Sequence, residues 1–417
     1  MTRQITPFSC QGTLCAPLSK SAAHRAMICG ALADRPTAIP LLDINEDIRA
    51  TLNCLKAMGA AYENGQMNPI LAYHENAKLD CACSASTLRF LMPVAAALGG
   101  GCFEGSPELV RRPVAQMCRV LRQKGVKVSG DTLPLLVSGG LSGGDFELPG
   151  DVSSQYVSGL LLAFPLTGRD CFIHLTSPLQ SEGYADLTLS MLSAFGVRAE
   201  KTPDGYFVGK GQAYRSPGLL TPEGDYSGSA NFLALAAMTG EITVKGLSPQ
   251  SLQPDRRILA YLTAYGADVQ TNGNQITVKK AHAPRAVDFD ASVCPDLSPI
   301  IAALALNAEG ETRIKNASRL RLKESDRAEG ICRMVRAFGG DAEIRGDCLR
   351  IRGKVPLHAG TFCSTDHRMV MAASVIAALC EGVSRISEDQ AVCKSYPLFW
   401  QDFDTVGGNS HVIHDGQ

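Results

Sequence analysis

The sequence has no surplus charge of either sign: 40 Lys and Arg stand against 41 Asp and Glu, for a net charge of -1 and a pI near 6.7. That balance excludes a general nucleic-acid binder, which needs a basic excess. No run of 18 uninterrupted apolar residues occurs, so no membrane-spanning helix is expected. Met1-Thr2-Arg3-Gln4-Ile5 opens no apolar signal segment, and a cytoplasmic protein is expected. The 15 cysteines are an odd number scattered over a long chain, which reads as reduced thiols rather than a disulfide framework. Cys81 and Cys83 form a C-x-C, but no second Cys/His pair lies at zinc-site spacing, so no metal is expected there.

What is present is material for a large soluble core. With 417 residues, 45% hydrophobic and 19% charged, the chain is long enough for two or three domains. One pattern returns along it, an amphipathic stretch ending at glycine: LKAMGA, LRQKGV, LSAFGV, LTAYGA, VRAFGG and FDTVGG. The glycines are Gly59, Gly125, Gly196, Gly266, Gly339 and Gly407, at intervals of 66, 71, 70, 73 and 68 residues. A left-handed glycine cap explains each copy locally; six at one period indicate an internal repeat. Segments such as EITVKGL, NQITVKK, ETRIKN and CLRIRG read as strands between the helices. The repeat unit is strand-helix-strand-helix plus further strands, three units to a domain.

Each unit also holds an apolar helix with a polar start. In STDHRMVMAASVIAAL, from Ser364 to Leu379, the second half is apolar on every face, whereas Asp366, His367 and Arg368 crowd its beginning. The other starts are KSAAHR at Lys20, STLRF at Ser86, SSQY at Ser153, SGSAN at Ser227 and PDLSP at Pro295. Helix N-termini carry unpaired N–H groups and attract anions. Ser227 and Ser229 read first as ordinary N-caps. Capping does not account for Lys20, Arg89 or Arg368, because cations are unfavourable at helix N-termini, so these favour an anionic ligand. RLRLKESDRAEG, from Arg319 to Gly330, adds Arg319, Arg321, Lys323, Glu324, Asp326 and Arg327, with Ser325 or Asp326 as cap. Arg111 and Arg112 precede Pro113, and Lys394 precedes the last helix.

SKSAAHR, STLRF, RRP, GDVSSQY, SEGYAD, RLRLKESDR, STDHRM and CKSYP stand in the order of the 5-enolpyruvylshikimate-3-phosphate synthase family, which the chain resembles from about residue 12 to residue 400. The resemblance implies an α/β enolpyruvyl transferase fold of six βαβαββ units, three per domain, closing on substrates in an interdomain cleft. Residues 1–19 with 223–417 would form one domain and 20–222 the other. It implies transfer of the enolpyruvyl group of phosphoenolpyruvate to the 5-hydroxyl of shikimate 3-phosphate, with release of phosphate, by a monomer needing no cofactor and no metal.

By the same resemblance, Lys20, Arg112, Gln155, Arg327, Arg368 and Lys394 match positions that bind phosphoenolpyruvate. Arginine suits this because its planar fork grips carboxylate or phosphate in two places. Lys20, Ser21, Arg25, Ser153, Ser154, Gln155, Ser181, Tyr184, Arg319 and Lys323 match the shikimate 3-phosphate site. Asp296 resembles the carboxylate bonded to the acceptor hydroxyl, and Glu324 the acid/base at the methylene carbon. Which of Asp296, Glu324 and Lys20 moves which proton stays open. His367 reads as structural or as a hydrogen-bond donor.

The departures lie in DCACSASTLRF. The family commonly reads C-G-(Glu or Asn)-(Ser or Ala)-G-(Ser or Thr) here; this chain has Ala82, Cys83 and Ala85 at three of those places. A tightly packed pocket feels one methyl group. Alanine at position 85, beside the phosphoenolpyruvate site, is associated in the family with insensitivity to the longer molecule glyphosate, so tolerance is expected. Glu182-Gly183 stands where a basic residue and proline are common. The alternative is the related UDP-N-acetylglucosamine enolpyruvyl transferase, whose reactive cysteine has a superficial counterpart in Cys102. Cys102 reads, however, as part of a strand ten residues before Arg112. A catalytically dead scaffold would be expected to lose the charged residues retained here.

Overall fold

The computed structural model describes residues 1–413. The chain forms two compact units: residues 1–19 joined with the chain from Glu223 on, and Lys20–Pro222. Each contains three small sheets built on one topology.

The sheet Lys78–Asp80, Gly100–Glu104, Lys127–Val128 and Leu135–Ser138 shows the pattern. Its first and second strands are parallel, the second pairs antiparallel with the fourth, and the fourth with the third. The Ala85–Leu98 helix joins the first two strands, and Ala115–Gln123 precedes the third. Three further sheets, whose second strands are Cys171–Leu175, Glu241–Lys245 and Glu311–Lys315, repeat this order. Distant segments complete the last two. Thr2–Ile5 takes the fourth place beside Ser384–Ser387 and Ser410–Ile413. In the three-stranded sheet of Thr37–Ala38, a parallel bridge from Leu219 to Ala38 stands in the first place.

The apolar helices are buried on all sides, as the absence of a polar stripe dictates. Every residue of Tyr226–Thr239 and of His367–Ala377 is buried. With Ser298–Asn307 they touch pairwise in the core of their unit. The second helix of each repeat is amphipathic and ends at a repeat glycine. All six glycines have positive φ, from +76° to +109°, the left-handed conformation that only glycine adopts cheaply. In the other unit, Gly159 lets the Ser154–Ala163 helix meet Ala85–Leu98 backbone to backbone: a Cβ there would stand 2.3 Å from the Arg89 carbonyl oxygen.

The caps correct one expectation. Asp225, not Ser227 or Ser229, caps Tyr226–Thr239, accepting from the Gly228 N–H at 2.9 Å. Ser227 instead donates to Asp255 at 3.1 Å. Asp326 caps Arg327–Ala337 and Asp366 caps His367–Ala377. All fifteen cysteines are free thiols. Among the described residues, no helix is long and apolar enough to cross a membrane.

Candidate active site

In the unit of residues 20–222, the helix starts carry a web of polar contacts. Lys20, the first residue of Lys20–Ala31, donates to Asp47 Oδ2 at 2.7 Å. Asp47 is buried near the start of Glu46–Ala57, which Asn45 caps through the Ile48 N–H. Further along the same helix, Arg25 is buried under the Phe90 ring and donates to Thr188 Oγ1 (2.7 Å), the Ser21 carbonyl (2.7 Å), Ser158 Oγ (3.1 Å) and the Tyr184 carbonyl (2.9 Å). Burial pulls its pKa down to about 10. Ser21 and Tyr184 are therefore tied together by Arg25, whose N–H groups are largely occupied inside the unit.

Arg89 departs from expectation. It is buried and donates to Gln155 Oε1 (2.8 Å), to the Pro113 carbonyl (2.8 Å) and, at 3.5 Å, to Ser153 Oγ. Internal acceptors, rather than an anion, explain this arginine near a helix N-terminus. It orients Gln155, whose amide donates to Ser86 Oγ at 2.9 Å, and fixes the backbone beside half-buried Arg112. Ser153 caps Ser154–Ala163, and Ser154 is buried behind it. Ser181, also buried, adopts φ +55°. In the departing segment, Ser84 caps the Ala85–Leu98 helix, Ala85 is half-buried, and Cys83 Sγ lies 3.1 Å from Ser106 Oγ. Ala82 has φ +47° although it is not glycine.

In the other unit, charge concentrates on Arg327. Its guanidinium has no solvent exposure and meets three carboxylates: Asp366 Oδ2 at 2.7 Å, Asp296 Oδ1 at 2.7 Å and Glu324 Oε2 at 2.6 Å. Asp296 sits in the turn Pro295–Leu297, immediately before Ser298–Asn307. It also meets Arg368 at 3.0 Å and Lys323 at 3.5 Å. Burial pushes its pKa up, but Arg368, Lys323 and Arg327 outweigh burial and hold it well below the usual carboxylate range. Burial likewise opposes the charge of Arg327, yet Asp366, Glu324 and Asp296 raise its pKa. Asp366, fully buried, accepts from the Arg368 N–H and Ser325 Oγ as well.

Arg319 reaches the Ser292 carbonyl at 3.4 Å, and Lys394 ends the turn Asp389–Lys394, half-buried. His367 is buried, with Nδ1 3.9 Å from Asp366 Oδ1. Nothing in the sequence marks Asp47 as the partner of Lys20, and the charged start Asp366-His367-Arg368 does not show that Asp366 pairs with Arg327. Only the tertiary pairing exposes them.

The fold is that of the enolpyruvyl transferases. A structure of EPSP synthase from Acinetobacter baumannii matches with a TM-score of 0.84 at 24% identity, covering 99% of this chain and 100% of that one. The enolpyruvyl transferase NikO of Streptomyces tendae matches with a TM-score of 0.77 at 17% identity, covering 98% of each chain. The family profile of EPSP synthase (3-phosphoshikimate 1-carboxyvinyltransferase) matches residues 6–403. Proteins named 3-phosphoshikimate 1-carboxyvinyltransferase are 38% identical in Clostridium kluyveri, covering 97% of each chain, and 36% identical in Methanocorpusculum labreanum, covering 95% of this chain and 96% of that relative. The chain belongs to the EPSP synthase family and is a transferase of the shikimate pathway to aromatic amino acids. The UDP-N-acetylglucosamine alternative is not favoured; Cys102 lies within the strand Gly100–Glu104.

Proposed function

We propose that this chain transfers enolpyruvyl from phosphoenolpyruvate to the 5-hydroxyl of shikimate 3-phosphate, and that the two charged clusters serve this one reaction. The observation that carries the reading is the buried Arg327 bonded to three carboxylates, with Arg368 and Lys323 beside them. The reaction needs such a group. Protonating the methylene carbon leaves its neighbour cationic, and the deprotonating hydroxyl adds there to give a tetrahedral intermediate. Loss of a methyl proton and of phosphate gives the product.

Asp296, ionised and held by three cations, is a weak base as it stands. Phosphoenolpyruvate brings a carboxylate and a phosphate, which give Arg327 and Arg368 alternative anions. Asp296 then gains basicity when the acceptor hydroxyl arrives. Glu324, on the opposite arm of Arg327, takes the acid/base position at the methylene carbon, and Lys20 shares proton transfer. Lys20, Arg112, Gln155 and Lys394 supplement the grip on phosphoenolpyruvate. Ser21, Arg25, Ser153, Ser154, Ser181, Tyr184, Arg319 and Lys323 hold shikimate 3-phosphate, with Arg25 doing so mainly by fixing Ser21 and Tyr184. Ala85, at a half-buried helix start next to Ser86, narrows the pocket against glyphosate.

The test is phosphate release from phosphoenolpyruvate plus shikimate 3-phosphate under a glyphosate titration. Turnover persisting at high glyphosate supports both parts. Turnover that collapses at low glyphosate removes the role of Ala85, and no turnover removes the assignment.

A further inference from the structure

Three helices of the Lys20–Pro222 unit are tied by a buried chain of hydrogen bonds. His24 Nδ1 lies 2.7 Å from Thr51 Oγ1, Thr51 Oγ1 lies 2.7 Å from Thr87 Oγ1, and Thr87 Oγ1 donates to Ser84 Oγ at 2.8 Å. All four side chains are completely buried. Each hydroxyl has one proton, which orders the chain. Thr87 gives its proton to Ser84, so Thr51 donates to Thr87, and His24 donates from Nδ1 to Thr51. When neutral, the imidazole therefore carries its proton on Nδ1. Burial keeps it neutral, pushing the pKa down to about 3, with Lys20 and Arg25 reinforcing and Asp47 opposing.

His24 is one helical turn beyond Lys20, and Thr51 one turn beyond Asp47. The two helices thus share two rungs: the ionic pair Lys20–Asp47, and a neutral pair beneath it. A charged second rung would compete with Lys20 for Asp47. From Thr51 the chain passes to Thr87 and Ser84, the residue that caps the helix beginning at Ala85 and Ser86.

We propose that His24, Thr51 and Thr87 are positioning residues for the phosphoenolpyruvate subsite, setting where the Ala85–Ser86 start stands relative to Lys20. This rests on the function proposed above. Thr51→Val and Thr87→Val remove the hydroxyls at nearly unchanged shape. Each is expected to raise the KM for phosphoenolpyruvate about five- to ten-fold, the weight of one buried hydrogen bond. The KM for shikimate 3-phosphate stays within about two-fold, because Arg25 fixes Ser21 and Tyr184 separately. His24→Asn, which keeps a donor near Nδ1, retains the wild-type KM; His24→Leu does not. A purely structural role would lower the melting temperature and leave both KM values in place. Unchanged KM values in folded, active variants overturn the proposal alone; a wild-type protein without turnover overturns the proposed function and this proposal with it.

Discussion

Removing Arg327 tests the charged cluster most directly. Arg327→Met keeps the length of the side chain and leaves Asp366, which has no solvent exposure, without the guanidinium 2.7 Å away. Breaking a buried ion pair from one side costs about 3–5 kcal/mol, because the remaining charge is neither solvated nor paired. Asp296 and Glu324 lose partners too, but their side chains are 24% and 22% exposed, so water recovers part of that loss. Asp366→Asn in the same background removes the stranded charge and keeps an oxygen for the Arg368 N–H. The double variant should therefore recover about 2–3 kcal/mol relative to Arg327→Met. Urea denaturation read by circular dichroism gives the energies, and hydrogen exchange over Arg327–Ala337 and His367–Ala377 locates them. A loss below about 1 kcal/mol, or additive single and double variants, would refute this electrostatic reasoning.

Ala85→Gly should make phosphate release more sensitive to glyphosate while leaving turnover without it within a few-fold; an unaltered titration removes the role proposed for Ala85. Ala82→Gly relieves an alanine at φ +47°, a conformation costing about 1–2 kcal/mol, against about 0.5–1 kcal/mol of added glycine entropy. A rise in melting temperature is expected, and a fall would show that the alanine methyl is needed there. His24 is neutral in both folded and unfolded states above its ordinary value of 6.5. Between pH 6.5 and about 3 the unfolded chain binds a proton that the folded unit refuses, so stability falls on acidification. The slope reaches about 1.4 kcal/mol per pH unit, and His24→Asn should remove that component from an acid-denaturation profile.

Local signals were legible wherever one residue decides the backbone. The six spaced glycines occupy left-handed caps, and the all-apolar helices and the quoted strands lie where periodicity put them. Caps were less legible: Asp225, two residues before Ser227, is an equally good acceptor, and only the path of the chain chooses between them. Arg89 misled because a cation at a helix start suggests an anion, whereas Gln155 and the Pro113 carbonyl satisfy it from 66 and 24 residues away. The chain from His24 to Ser84 has no sequence signature, since its members become neighbours only when three helices assemble. The resemblance named Asp296, Glu324 and Arg327 one by one, but not that Arg327 meets both of those carboxylates and Asp366 as well.

Placing Thr2–Ile5 between Ser384–Ser387 and Ser410–Ile413 also imposes an order on biosynthesis. The unit spanning residues 20–222 has all its segments once Pro222 has left the ribosome. The first strand made must instead wait for nearly the last, its edges unsatisfied while some 380 residues are added. Arg3, which pairs with the fully buried Asp389, waits with it. Closing the unit that contains Thr2–Ile5 is thus a late event with a long sequence separation, which slows assembly. A tag or truncation at the N-terminus should therefore weaken the unit that carries the Arg327 cluster before it disturbs the one that carries Lys20.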